Sequence, residues 1–188
     1  DGGFPYYVAE GLSAGYGTYP ENLLPYDNYD SGYSEALRFY SNYRLKDYTE
    51  LTNDTDLIKQ KIMENGAVAV HYNCYNANTY MVDGMQSYYD DGTPIDGMVD
   101  QSHVVTIVGW DDGFSKENFN PIMQPQNDGA WLCKNSWGTY NGSTAEGYEG
   151  YFWMSYDTQT FTFSQFVMQS TDEYDNTYQY QVISGNSL

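Results

Sequence analysis

The chain has 188 residues, enough for one domain, or two small lobes sharing a core, that buries roughly two-thirds of its unfolded surface. Seven Lys and Arg against 26 Asp and Glu leave a formal charge of −19, which repels polyphosphate and excludes nucleic acid and anionic membrane surfaces as natural partners. Hydrophobic residues make up 40%, but charge or glycine interrupts them everywhere, so no run approaches the ~18 needed to span a bilayer.

Taken along the chain, the opening Asp1-Gly2-Gly3-Phe4-Pro5 reads as a turn into a short helix over 6–14 that stops near Gly15 and Gly17. Pro20, Pro25 and many Tyr and Asn predict irregular structure over 18–33. Residues 53–65 form the clearest helix: Asn53 or Asp54 as N-cap, Leu57, Ile58 and Ile62 on one stripe, and Gly66 as the stop. A β-branched run over 67–72 is too short for a helix and predicts a strand leaving that helix almost without a loop. Short apolar or aromatic segments over 103–110, 129–134, 151–156 and 161–168, separated by Gly, Asn and Asp, predict further strands of an antiparallel, barrel-like sheet. The polar stretch 170–188 reads as a strand followed by a frayed tail. The coarse expectation is therefore an α+β chain: a loop-rich, Tyr-rich first third, a helix, then a β-rich remainder. With no repeat or Pro-rich linker, it reads as a single module over 1–188.

Chemistry is limited by what is scarce. Only His71 and His103 can act as general bases near neutral pH unless a carboxylate serves. His71 lies inside a predicted strand, where a hydrogen-bonded structural role is expected; His103 opens a strand, where substrate can reach its ring. Cys74 and Cys133 are compatible with one disulfide, two buried thiols or one reactive thiol. Asp90-Asp91-Gly92 and Asp111-Asp112-Gly113 lack the spacing of a calcium loop and read as solvated turn acids, and two ligands at His71 and Cys74 do not make a zinc site. No metal or other cofactor is expected.

Two segments together carry more than either alone. His103-Val104-Val105-Thr106-Ile107-Val108-Gly109-Trp110-Asp111 and Lys134-Asn135-Ser136-Trp137-Gly138 resemble the His and Asn signatures of papain-like cysteine peptidases. The resemblance continues in Gly2-Gly3-Phe4-Pro5, in Tyr19-Pro20-Glu21 with Leu24-Pro25-Tyr26, and in the Ile62–Val70 stretch, so that it spans about residues 1–156. It implies a papain-like fold, mainly the antiparallel β-barrel-like right lobe (51–170) with part of the helical left lobe (1–50) and a C-terminal tail (171–188). It implies His103 as general base, Asn135 as the residue that orients its ring, Trp137 and Ser136 as shielding or supporting residues, and Gly2 and Gly3 as a backbone that pairs with an extended substrate.

The family's nucleophile sits in a C-G-[SA]-C-[WY] context, and nothing in this chain matches it. The resemblance thus implies a module that carries the His/Asn half of a catalytic site and hydrolyses peptide bonds only when a Cys-bearing N-terminal segment is supplied. The chain begins at Asp1 without an initiator Met, which fits an excised or mature piece. The alternative is a non-catalytic pseudoenzyme or binding module for peptide, protein or carbohydrate, for which 22 tyrosines offer suitable faces. Expected partners are a peptide or protein substrate and the missing segment or a second copy of the chain. The long 110–119 segment and the Tyr-rich 174–180 resemble secreted bacterial members, which implies a secreted or cell-surface bacterial protein.

Overall fold

The computed structural model describes residues 4–14, 17–20, 22–23, 41–94, 101–139, 143–146 and 148–173. The described residues contain two α-helices, α1 (Pro5–Ser13) and α2 (Thr55–Asn65). They also contain eight strands: β1 (Tyr43–Leu51), β2 (Val68–Asn73), β3 (Thr79–Val82), β4 (Met85–Tyr88), β5 (Ser102–Asp111), β6 (Ala130–Lys134), β7 (Tyr151–Ser155) and β8 (Thr160–Ser170). The strands hydrogen-bond in the order β1-β8-β2-β5-β6-β7-β4-β3. The α+β class expected from the sequence is what the chain adopts.

The chain divides into two compact units. The first comprises Asp1–Pro5 and Thr49–Gln165 and holds the main core. Its logic is strand alternation: Val68, Val70 and Tyr72 of β2 point the same way and lie opposite Ile107, Val105 and His103 of β5. Ile107 in turn lies opposite Cys133, and Cys133 opposite Phe152, so one face of the sheet is a continuous apolar layer. Ile58 of α2, wholly buried, packs onto that layer. On β6 and β7 the other face is also covered: Ala130 and Trp153 join Phe119 and Tyr89 in a second cluster against Phe114 and Met123. That is why these two strands read as unbroken apolar runs rather than as an alternation. Asp157 ties the covering loop down by accepting from the backbone N–H groups of Gln126 and Asn127, both at 2.9 Å.

Helix α2 begins and ends on local signals. Asp54, not Asn53, is the N-cap; its carboxylate accepts from Leu57 N–H at 3.0 Å. Gly66 closes the helix at φ 91°, with its N–H donating to Ile62 O at 2.9 Å. Tertiary structure adds Gln165 of β8, 2% exposed, whose amide donates to Lys61 O at 2.8 Å and Gly66 O at 3.3 Å while accepting from Asn65 Nδ2 at 3.2 Å. Gln165→Ala strips partners from these carbonyls in a buried place, and a loss of about 1–3 kcal/mol is expected in urea-unfolding measurements, with Asn65→Ala costing less.

The second unit comprises Tyr6–Tyr48 and Phe166–Leu188. In it Thr18 bridges Tyr43, Thr171 N–H donates to Asn42 O at 2.9 Å, and the rings of Tyr48 and Phe166 lie 5.1 Å apart. The end of the first third is thus not loop: β1, with Arg, Lys, Asp and Glu along it, lacks the apolar run by which β2 and β5–β8 were read.

Two further differences have local causes. The β3–β4 hairpin over 79–88 turns at Asp83-Gly84, both at positive φ, a D-G signal between two four-residue strands too short for clear alternation. The β2–β5, β2–β8, β3–β4, β5–β6 and β6–β7 pairs are antiparallel, whereas β4 and β7 run parallel, because the chain reaches β7 from β6 rather than from β4. Of the C-terminal tail expected over 171–188 only 171–173 are described, and of the 18–33 segment only 18–20 and 22–23.

Candidate active site

His103 is the second residue of β5, directly opposite Tyr72 of β2. Tyr72 is buried, so the imidazole starts from the rim of the core rather than from within it; the two rings are 6.0 Å apart and His103 is half-buried. Asn135 follows the last residue of β6, and its own N–H donates to Gly150 O at 3.0 Å. The strand stops there, and the side chain turns to place Oδ1 2.9 Å from His103 Nε2.

Protonation follows from a second donor on the same oxygen. Ser136 N–H donates to Asn135 Oδ1 at 2.8 Å, so an oxygen and not the amide NH2 must occupy that position. An amide oxygen only accepts, so Nε2 carries the proton and donates it to Asn135. Nδ1 is therefore the nitrogen whose lone pair is available to take a proton, and its direction is set by an uncharged partner. Ser136 reaches the pair through its backbone N–H.

Trp137 also sits at the site, though not as strand alternation implies. β6 ends at Lys134, so no continuing strand carries residues 135 and 137 on one face. A bend brings the indole over the imidazole instead, with ring centroids 4.6 Å apart and planes 24° apart, while Trp137 itself stays 48% exposed. The indole covers one face of the imidazole ring. Gly2 and Gly3, expected on the substrate side, lie outside the described residues, as do residues 24–26.

The remaining candidates fall into structural places. His71 is 5% exposed, shares a 2.6 Å hydrogen bond with Ser102 Oγ and is flanked by Phe4 and Phe161 at ring distances of 5.2 and 4.7 Å. Burial lowers its pKa, as befits a neutral structural imidazole. Cys74 and Cys133 are both buried and neither is in a disulfide. Burial pushes both thiols up, Cys133 far up, so neither is a thiolate at neutral pH. Among the described residues no group of three or more His, Cys, Asp or Glu side chains is placed to hold a metal ion. Asp90, Asp91 and Asp111 accept from the backbone two residues on, as turn acids do.

Sequence reasoning did not reveal a cavity of about 100 Å³ beside the pair, walled by Asn135 and Trp137. Its floor comes from β2, β4 and β7, elements distant in the chain, and no local signal marks it.

Residues 1–171 match the family model for papain family cysteine protease. Among solved structures, the chain is similar to the cysteine protease and lectin-like domains of Cwp84, a surface layer associated protein of Clostridium difficile. The identity is 26% and the TM-score 0.68, over 88% of this chain and 36% of that one. It is also similar to the clostridial cysteine protease Cwp84 after propeptide cleavage, at 28% identity and a TM-score of 0.66, over 86% of this chain and 40% of that one. The chain spans less than half the length of either structure.

Proposed function

The chain belongs to the papain family of cysteine proteases, and from that premise we propose that it carries the acid–base half of a peptide-hydrolysing site, His103 with Asn135. One observation carries the reading: Asn135 Oδ1 accepts from both His103 Nε2 and Ser136 N–H, which leaves Nδ1 as the proton-accepting nitrogen.

The chemistry asks for such a pair. A thiol is only a few per cent thiolate at neutral pH, so an imidazole must take its proton before sulfur can attack a carbonyl. The same nitrogen then returns the proton to the departing amine, and the acyl–sulfur bond is cleaved by water that the imidazole deprotonates in turn. Burial and the upward push it gives both thiols argue against Cys74 and Cys133 as the sulfur, and the reading therefore assigns the thiol to a Cys-bearing segment joined to this module. A papain-like module over 1–188 completed by that segment is the organisation we favour. Peptides and proteins are the substrate class that the family supports.

A bacterial cell-surface location is part of the proposal. It is supported by the similarity to a surface layer associated protein of Clostridium difficile. Among the described residues no helix is long and apolar enough to cross a membrane.

The test uses the full-length protein with an unfolded substrate. Cleavage should appear, stop on alkylation by iodoacetamide, and fall roughly 10- to 100-fold in kcat/KM with Asn135→Ala, because the ring loses its orientation but not its basicity. Asn135→Gln, with a longer reach, should restore little. If no unfolded substrate is cleaved, the protease reading fails and a non-catalytic binding module takes its place.

A further inference from the structure

His71 has surroundings that the chemistry above does not use. Its side chain leaves β2 on the face opposite Val70 and Tyr72, outside the main core. The ring is nonetheless only 5% exposed, with Phe4 and Phe161 standing against it. Those two side chains are themselves 44% and 52% exposed, so the imidazole lies under a cover that is half in solvent. Phe4 meets it edge to face, with the ring planes 80° apart. The 2.6 Å hydrogen bond of His71 Nε2 goes to the hydroxyl of Ser102, which is exposed.

Resting on the reading of this chain as part of a protease, we propose that His71 is a positioning residue for substrate: its neutral ring seats Phe4, and with it the chain that leads into Phe4, and charging the ring in acid unseats them. Phe4 directly follows Gly2-Gly3, the backbone that the family resemblance assigns to substrate pairing. A contact that fixes Phe4 therefore restrains that backbone from the adjoining residue, and its loss weakens substrate binding rather than proton transfer.

The surroundings suit a neutral ring and not a charged one. An imidazolium has two N–H donors and a charge to satisfy, and Ser102 Oγ offers a single hydroxyl. The residues opposite His71 are Val104 on β5 and Thr162 on β8. Neither they nor Phe4, Phe161 and Ser102 carry a charge. Two phenyl rings offset only part of what a buried cation loses in hydration. Burial accordingly holds the pKa of His71 below its ordinary value. A ring released to water titrates at ~6.5 and the seated ring lower, so the seat is fully kept above that pH and is lost progressively below it.

The experiment follows kcat and KM of the full-length protein for one unfolded substrate from about pH 7.5 to about pH 4.5. In the native protein KM should rise roughly tenfold on acidification, the equivalent of about one unit of pKa difference between the two states of the ring. In His71→Gln, and in His71→Phe, which keeps a ring against Phe4, KM should change by less than about twofold over the same range. The pH profile of kcat, which reports proton transfer at His103, should be the same in all three. A native KM that stays flat, or a rise that persists in both variants, overturns the assignment. If no substrate is cleaved, the protease reading fails separately, and the seat is then read by NMR on the native protein. Nuclear Overhauser contacts between the rings of Phe4 and His71 should be present at about pH 7.5 and absent at about pH 4.5, while those between His103 and Trp137 remain. Phe4 contacts that persist in acid, or that vanish only together with those of His103, overturn the seat.

Discussion

His103→Ala in the full-length protein is expected to lower kcat/KM for peptide hydrolysis by roughly a thousandfold or more, the largest activity loss of any single residue in this chain. Two tasks vanish together: removal of the thiol's proton before attack and delivery of a proton to the amine as it leaves. Asn135→Ala removes only the ring's restraint, so the two losses should differ by at least an order of magnitude. The far-UV circular dichroism spectrum should not change, since His103 is half-buried at a strand's rim and contributes little to the core. Activity within about tenfold of native in His103→Ala would exclude the imidazole as the base. Losses of equal size in both variants would instead mean that Asn135 does more than orient.

Gly129→Ala, a single added methyl, is expected to cost about 3 kcal/mol of stability. Gly129 precedes β6 at φ 106°, a region that L side chains rarely adopt, and a Cβ there would lie 2.6 Å from Tyr156 Cδ2 and Cε2. The tyrosine ring has little room to retreat. Its hydroxyl donates to Asp112 Oδ1 at 2.9 Å, Trp131 packs on it at 4.5 Å, and Lys59 Nζ, paired with the same carboxylate, sits 5.1 Å from its centroid. Gly66→Ala separates the two costs, because Gly66 has φ 91° with nothing within 4 Å of the added methyl. It should cost about 1 kcal/mol, the conformational part alone. Thermal unfolding followed by near-UV circular dichroism should then rank native, Gly66→Ala and Gly129→Ala in that order. Equal shifts for the two variants would show that Tyr156 moves aside.

What could be read without coordinates was what neighbours in sequence decide. The cap at Asp54 and the stop at Gly66 are contacts within one turn, so α2 was legible to within two residues of its ends. The five strands β2 and β5–β8 were legible because their side chains alternate into one core or are apolar on both faces. Charged β1 and the four-residue strands β3 and β4 carry no such pattern; their pairing partners, not their composition, make them strands. Trp137 shows the same division on a smaller scale. Its place near His103 followed from the motif, but it is reached by a bend after Lys134 and not by the alternation of a continuing strand.

By itself the sequence determined the α+β class, the family, the pair of residue types suited to acid–base work, and the lack of a matching nucleophile motif. Only the tertiary structure decided which ring nitrogen of His103 is committed to Asn135, that both thiols are buried, and that a cavity opens beside the pair. The reason is separation along the chain. Caps and alternation act over a few residues, whereas the His103–Asn135 hydrogen bond joins positions 32 apart. Its length and donor depend on the β5–β6 register and on where β6 ends, and these are set by how the whole core packs.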